Sequence, residues 1–209
     1  EERRGVTVVV GLGNPGPEYA NTRHNAGCRV IERLARELGL RLVPGRGDYL
    51  KAVGRAGVRG VTLALPLTFM NASGRAVVEV LRETSAGAAD LLVVCDDVNL
   101  ELGQLRFRRA GSDGGHNGLA SVIESLGTDR FARLRLGVSE RPPDVELADY
   151  VLEPFAEDEE AQASAMIERA VAATRVYLRD GIDAAMNEFN RFETVDGSRS
   201  EPEGECSTS

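Results

Sequence analysis

The chain has no tryptophan, one lysine (Lys51), two histidines and three cysteines among 209 residues. Cys28, Cys95 and Cys206 are odd in number and far apart, which excludes a disulfide framework or a zinc site of paired thiols. Reduced thiols in a cytoplasmic compartment are expected instead. No apolar run approaches the roughly 20 residues that a membrane-spanning helix requires, so no membrane partner is expected. Glu1-Glu2-Arg3-Arg4 runs straight into a strand-like segment without an apolar h-region, and no signal peptide is expected. G-x-S-x-G, H-E-x-x-H and C-x-x-C are all missing. A serine elbow is therefore not signalled, a metal centre is not supported, and water is the expected attacking group.

What is present fits one globular domain with a sizeable core. The net charge of −8 argues against a nucleic-acid partner only until it is located. Residues 193–209 hold five acids against one arginine, or −4, which leaves −4 for residues 1–192. That polar stretch lacks apolar periodicity and is expected to be a disordered acidic tail on a catalytic domain spanning 1–192. The positive charge of the body is almost all arginine, the side chain suited to bidentate phosphate contact. A locally basic face on an acidic protein is compatible with these numbers.

The β-branched run Val6–Val10 predicts a buried strand that ends in Gly-Leu-Gly. Val30, Ile31, Leu34, Ala35 and Leu38 recur at helical spacing and predict a helix from Ala26 to Leu38. Strands are expected at Asp48–Arg55 and Val61–Leu65, followed by a helix over about Ala72–Glu83. A buried strand, Leu91–Cys95, ends in two acids, Asp96 and Asp97. Gln104–Arg108 alternates like a half-exposed strand. The glycine-rich loop Ala110–Gly115 leads into a helix at His116–Leu126. Arg133–Val138 predicts a strand whose Arg133 and Arg135 share one face. Helices near Glu157–Leu178 and Ile182–Phe192 close the domain. The alternation of elements predicts a layered α/β fold, and the closeness of several strands makes a mixed sheet the better reading.

Both histidines lie in Gly/Asn-rich loops at helix entries, His24 in Thr-Arg-His-Asn and His116 in Gly-Gly-His-Asn-Gly. One such histidine reads as a surface or capping residue. Two point to a site, because imidazole exchanges protons near neutral pH. Asp96 is the candidate to orient a histidine base, since it follows a buried strand at the edge where α/β sheets build crevices; Asp97 competes for that role. Asn14, Asn25, Asn71 and Asn117 can hold a carbonyl or a water without adding charge, although each is equally a turn or capping residue. Gly11, Gly13 and Gly16 satisfy G-x-G-x-x-G. Pro15 and Pro17 interrupt that loop, and Glu32 and Glu37 lie on the following helix rather than after a second strand. A dinucleotide site is therefore disfavoured.

Four segments in order, GLGNPGPEYANTRHNAG (11–27), LPLTFMNASGRAV (65–77), LLVVCDDVNLELG (91–103) and GSDGGHNGLASVI (111–123), resemble the bacterial-type peptidyl-tRNA hydrolase family. Weaker similarity continues through FARLRLGV (131–138) and DYVLEPF (149–155). The resemblance implies a single α/β/α sandwich with a mixed central sheet, usually monomeric and without metal or organic cofactor. It implies hydrolysis of the ester between a peptide and the 3′ ribose hydroxyl of tRNA. By the same resemblance His24 is the general base and Asp96 the acid that orients it. Asn14 and Asn71 position the peptide and the water, and Asn117 binds the acceptor end. Tyr19, Met70 and His116 line the same cleft, while Arg106 and Arg135 grip the 5′ phosphate of the tRNA. Ser139-Glu140-Arg141-Pro142, one residue longer than the family pattern, and Asn99 depart from it at the rim. Two other readings compete: an RNA-binding adaptor on the same fold, and a nucleotide-dependent oxidoreductase.

Overall fold

The computed structural model describes residues 6–57 and 59–191. The acidic segment 193–209, Cys206 and the Phe192 end of the last expected helix lie outside the described residues. Seven strands form one sheet: β1 (Val6–Gly11), β2 (Val43–Pro44), β3 (Tyr49–Ala56), β4 (Arg59–Pro66), β5 (Leu91–Asp97), β6 (Leu105–Arg108) and β7 (Ala132–Gly137). Their order is β2-β3-β4-β1-β5-β7-β6. The central four, β4, β1, β5 and β7, are parallel, and antiparallel pairs β3/β4 and β6/β7 flank them. The sheet is mixed, as the sequence predicts.

The apolar runs of β1 and β5 are buried on both faces, as parallel strands between helical layers must be. The pleat sends Val9, Leu92 and Val94 to one face, where they meet Val30, Ile31 and Leu34 of α1 (Ala26–Glu37) and Met166 and Val171 of α5 (Glu160–Asp180). Val8, Val10, Leu91 and Val93 face the other way, onto Val77 and Val80 of α2 (Ser73–Thr84) and Leu119 and Val122 of α3 (Asn117–Leu126). Burying each Leu or Ile contributes about 1.5–3 kcal/mol. These two layers account for why the helical stripes in the sequence were legible. The result is an α/β/α sandwich. Two shorter helices complete it, α4 (Leu147–Leu152) and α6 (Ile182–Phe189). Among the described residues no helix is long and apolar enough to cross a membrane.

The glycines that resemble a dinucleotide fingerprint serve packing. A Cβ on Gly11 would fall 2.3 Å from the Gly27 carbonyl oxygen, and one on Gly27 would fall 2.3 Å from that of Val94. The start of α1 therefore rests directly on the ends of β1 and β5, backbone on backbone. This contact brings the turn before α1, which carries His24, over the end of β5.

Candidate active site

The site is built where β1 and β5 end. A 3-10 turn, Arg23–Asn25, precedes α1 and buries all three of its side chains. Asn25 locks that turn to the glycine loop: its Oδ1 accepts from Asn14 N–H at 2.9 Å and its Nδ2 donates to Asn14 O at 2.9 Å. Asn25 is thus a structural clamp. Asn14 in turn accepts from Met70 N–H through Oδ1, at 2.7 Å, and its NH₂ has no hydrogen bond among the described residues.

His24 and Asp96 meet from opposite ends of the sequence's first hundred residues. Nδ1–H of His24 donates to Asp96 Oδ1 and Oδ2 at 2.9 and 3.0 Å. Nε2–H of His116 donates to Asp96 Oδ1 at 2.9 Å. His116 Nδ1 accepts from the backbone N–H of Gly118 and Leu119 at 3.1 and 3.2 Å, so this residue also caps α3. Those partners fix both tautomers. A ring nitrogen that accepts two N–H bonds carries no proton, and a carboxylate can only accept. His116 is protonated on Nε2, His24 on Nδ1, and the Nε2 of His24 is left with its lone pair. Burial opposes ionisation of Asp96, yet the two imidazoles more than offset it and hold its carboxyl well below the usual carboxylate range.

His24, Asp96 and His116 present ligand atoms within 4.8 Å of one another, a spacing that a metal ion could use. Hydrogen bonds already employ each atom that faces Asp96, without an ion. Asp97 is separate from this group. Its Oδ1 accepts from the backbone N–H and side-chain amide of Asn99, and its Oδ2 pairs with Arg135 at 3.1 Å. Asp96 faces His24, and Asp97 faces Arg135.

One cavity is lined by His24, Asp96, His116, Asn117 and Arg135, with Leu147 of α4 among the residues opposite. Asn117 is exposed at the mouth. Asn14, Asn71, Met70 and Tyr19 are not in its lining. Met70 is buried, and a Cβ on Gly118 would fall 2.4 Å from its Sδ and 3.0 Å from His116 Cε1, so the glycine lets the two side chains close up. Asn71 is exposed, and its side chain has no hydrogen bond among the described residues. Tyr19 stands edge-on to the exposed ring of Phe69, with centroids 6.5 Å apart.

Arg106 pairs in register with Arg135, and Arg108 with Arg133, which puts four arginines on one face of β6 and β7. Their states differ. Arg135 bonds Asp97 and the carbonyl of Ser112. Arg133 is fully buried without an acidic partner and donates to the carbonyls of Gly111, Ser112 and Asp129 at 2.6, 3.1 and 2.7 Å. It therefore pins the loop that delivers His116. The side chains of Arg106 and Arg108 have no ion pair or hydrogen bond among the described residues. Two residues went unrecognised in the sequence reading, Arg108 and Arg23. The alternation Arg106-Phe107-Arg108 signals the first, while nothing local signals the second.

An α/β/α sandwich with a histidine bonded to a carboxylate at the carboxyl ends of its parallel strands, and with Arg106 and Arg108 free of ion pairs among the described residues at the sheet edge, is the fold and site of a hydrolase. A model of the peptidyl-tRNA hydrolase family matches residues 8–197. The chain is 46% identical over 185 residues to the peptidyl-tRNA hydrolase of Symbiobacterium thermophilum, covering 88% of this chain and 98% of that protein. It is 43% identical over 188 residues to that of Elusimicrobium minutum, covering 89% and 100%. The crystal structure of peptidyl-tRNA hydrolase from Acinetobacter baumannii superposes with a TM-score of 0.85 at 30% identity, covering 92% of this chain and 98% of that one. The chain belongs to the peptidyl-tRNA hydrolase family, and its activity is that of a peptidyl-tRNA hydrolase.

Proposed function

We propose that His24 is the general base of this reaction and Asp96 the residue that orients it. The observation that carries the assignment is the tautomer pair around Asp96, which leaves Nε2 of His24 as a basic nitrogen at the cavity wall. Nε2 takes a proton from water as the water attacks the ester carbonyl. The imidazolium that forms is stabilised by the ionised Asp96, and it returns the proton to the departing 3′ ribose oxygen. Asn14, through its NH₂, and Asn71, through its side-chain amide, hold the peptide carbonyl and the water; neither group has a hydrogen bond among the described residues. Loss of one donor to a developing oxyanion typically costs about 10²–10³ in rate. Tyr19 and Met70 receive the peptide beside them, while Asn117 and His116 receive the acceptor end.

Arg106 and Arg135 grip the 5′ phosphate in this reading, and Arg108 joins them because it shares their face. Residues 1–192 are the catalytic unit and 193–209 an acidic appendage. The protein works as a cytoplasmic monomer, and it recycles tRNA from peptidyl-tRNA released by stalled ribosomes.

The test is hydrolysis of N-acetyl-aminoacyl-tRNA beside the unblocked aminoacyl-tRNA. Cleavage of the blocked substrate alone is expected. Salt-sensitive tRNA binding without cleavage would instead favour an RNA-binding adaptor on this fold.

A further inference from the structure

We propose that Arg23 is a positioning residue that sets the width of the cleft, by holding α4 against the turn that bears the catalytic base. The inference rests on the assignment of His24 as that base.

Arg23 immediately precedes His24, and its side chain is only 6% exposed. Its Nη1 donates to the carbonyl of Pro154 at 2.6 Å and, more weakly, to that of Glu153 at 3.5 Å. Its Nη2 pairs with Glu159 Oε2 at 2.6 Å. The flat face of the guanidinium lies 4.4 Å from the ring centroid of Tyr150 and 5.3 Å from that of Phe155. The backbone adds Arg23 N–H to Glu153 O at 3.0 Å, and a β-bridge joins Thr22 to Pro154. One side chain thus gathers Tyr150 of α4 and four residues from the stretch between α4 and α5.

The helix so held, α4 with its N-cap, carries the wall of the cleft. Glu146, Leu147, Ala148 and Val151 face His24, Asp96 and His116 across the cavity. Yet α4 is six residues long and buries only Tyr150 and Val151. The chain before it, residues 140–144, is exposed. An isolated helix of this length is not stable on its own, so tertiary anchors must hold it. The side-chain anchors include Tyr150 O–H, which donates to Val138 O at 3.0 Å, and Arg23, beside the Thr22–Pro154 bridge.

The chemistry requires arginine. A fork of planar donors satisfies two carbonyls and a carboxylate at once while its face stacks on an aromatic ring. Lysine keeps the charge but has neither the fork nor the plane. His24 has its own fixings through Asp96, and Asn25 ties its turn to the glycine loop. Loss of the fork should therefore loosen the wall and leave the base in place.

Kinetics with N-acetyl-aminoacyl-tRNA test this, run well below the melting temperature of each variant. Arg23→Lys is expected to raise KM about tenfold while kcat stays within about threefold, the pattern of lost positioning rather than lost chemistry. Leu147→Ala alone should raise KM severalfold. In the double variant the two effects should fall short of additive, because both act through one wall. A drop in kcat at constant KM, or full additivity, would overturn the proposal. If Arg23→Lys does not fold, Glu159→Gln carries the same test: a raised KM is expected, and an unchanged one overturns the idea. His24→Ala run alongside separates the two claims. An inactive His24→Ala with a normal Arg23→Lys removes only this inference, whereas an active His24→Ala removes the reading beneath it.

Discussion

His24 and His116 stand on either side of one carboxylate, with ring centroids 4.8 Å apart, and they reach it through different nitrogens, Nδ1 for His24 and Nε2 for His116. The difference separates their roles. The other nitrogen of His116 is consumed in capping α3, while the other nitrogen of His24 has no partner among the described residues. Only one of the two rings can accept a proton from water without breaking a bond that holds the fold.

His24→Ala is accordingly expected to lower kcat by about 10²–10⁴, the usual contribution of a positioned base. Affinity for deacylated tRNA should change little. Single-turnover hydrolysis and a filter-binding titration on the same preparation check both halves, and near-normal turnover would remove His24 as the base.

Asp96→Asn tests the orienting carboxylate and also has a consequence for stability. Burial works against ionisation of Asp96, but the two histidines outweigh it and depress its native value. A carboxyl depressed in the folded state contributes stability above its unfolded value, about 4, and that stability is lost as pH falls towards the native value. The wild-type melting temperature should therefore drop between roughly pH 5 and pH 2, and part of that drop should vanish in Asp96→Asn. Parallel curves for the two proteins would contradict the assignment, whatever the loss of turnover.

Arg106→Ala and Arg108→Ala remove cations without partners among the described residues, so neither breaks a pair described there. Each is expected to raise KM, leave kcat nearly unchanged, and reduce the slope of log affinity against log salt by roughly 1. Titrations of tRNA from low to moderate salt decide the matter. An unchanged slope in both variants would take the phosphate grip away from β6.

Arg133→Lys addresses the loop that delivers His116. The guanidinium reaches four backbone carbonyls and lies 4.3 Å from the ring centroid of Phe131, with no ion pair among the described residues. Lysine cannot span those acceptors, and buried carbonyls left unpaired cost about 1–3 kcal/mol each. A loss of about 2–4 kcal/mol in denaturant unfolding is expected, together with reduced turnover as His116 loses its register. Wild-type stability would show that the loop does not depend on Arg133.

Most of the fold was legible because its signals are local. The stripe Val30-Ile31-Leu34 and the runs at 6–10 and 91–95 state their periods directly. What escaped was short or remote. β2 has two residues, one of them Pro44, and α4 has six, too few for a period to register. His116 reads from sequence as the first residue of a helix, whereas it is the cap just outside it. Asp96 and Asp97 are chemically identical neighbours, and only the phase of the pleat against real neighbours distinguishes them. Arg23 was invisible for a different reason: its partners at 153, 154 and 159 are some 130 positions away.

The adjacency of Asp96 and Asp97 makes β5 a ruler. Successive side chains on a strand leave opposite faces, so a single step along the backbone hands one acid to His24 and the next to Arg135. His24 and Arg135 are therefore gauged from the same peptide unit. Neither can drift along the sheet without carrying the other. An insertion of one residue before Asp96 would turn Asp96 to the face that meets Arg135 and carry Asp97 past it, so that His24 would lose its acid. Conservative changes in length, rather than in residue type, are what this stretch of chain can least accommodate.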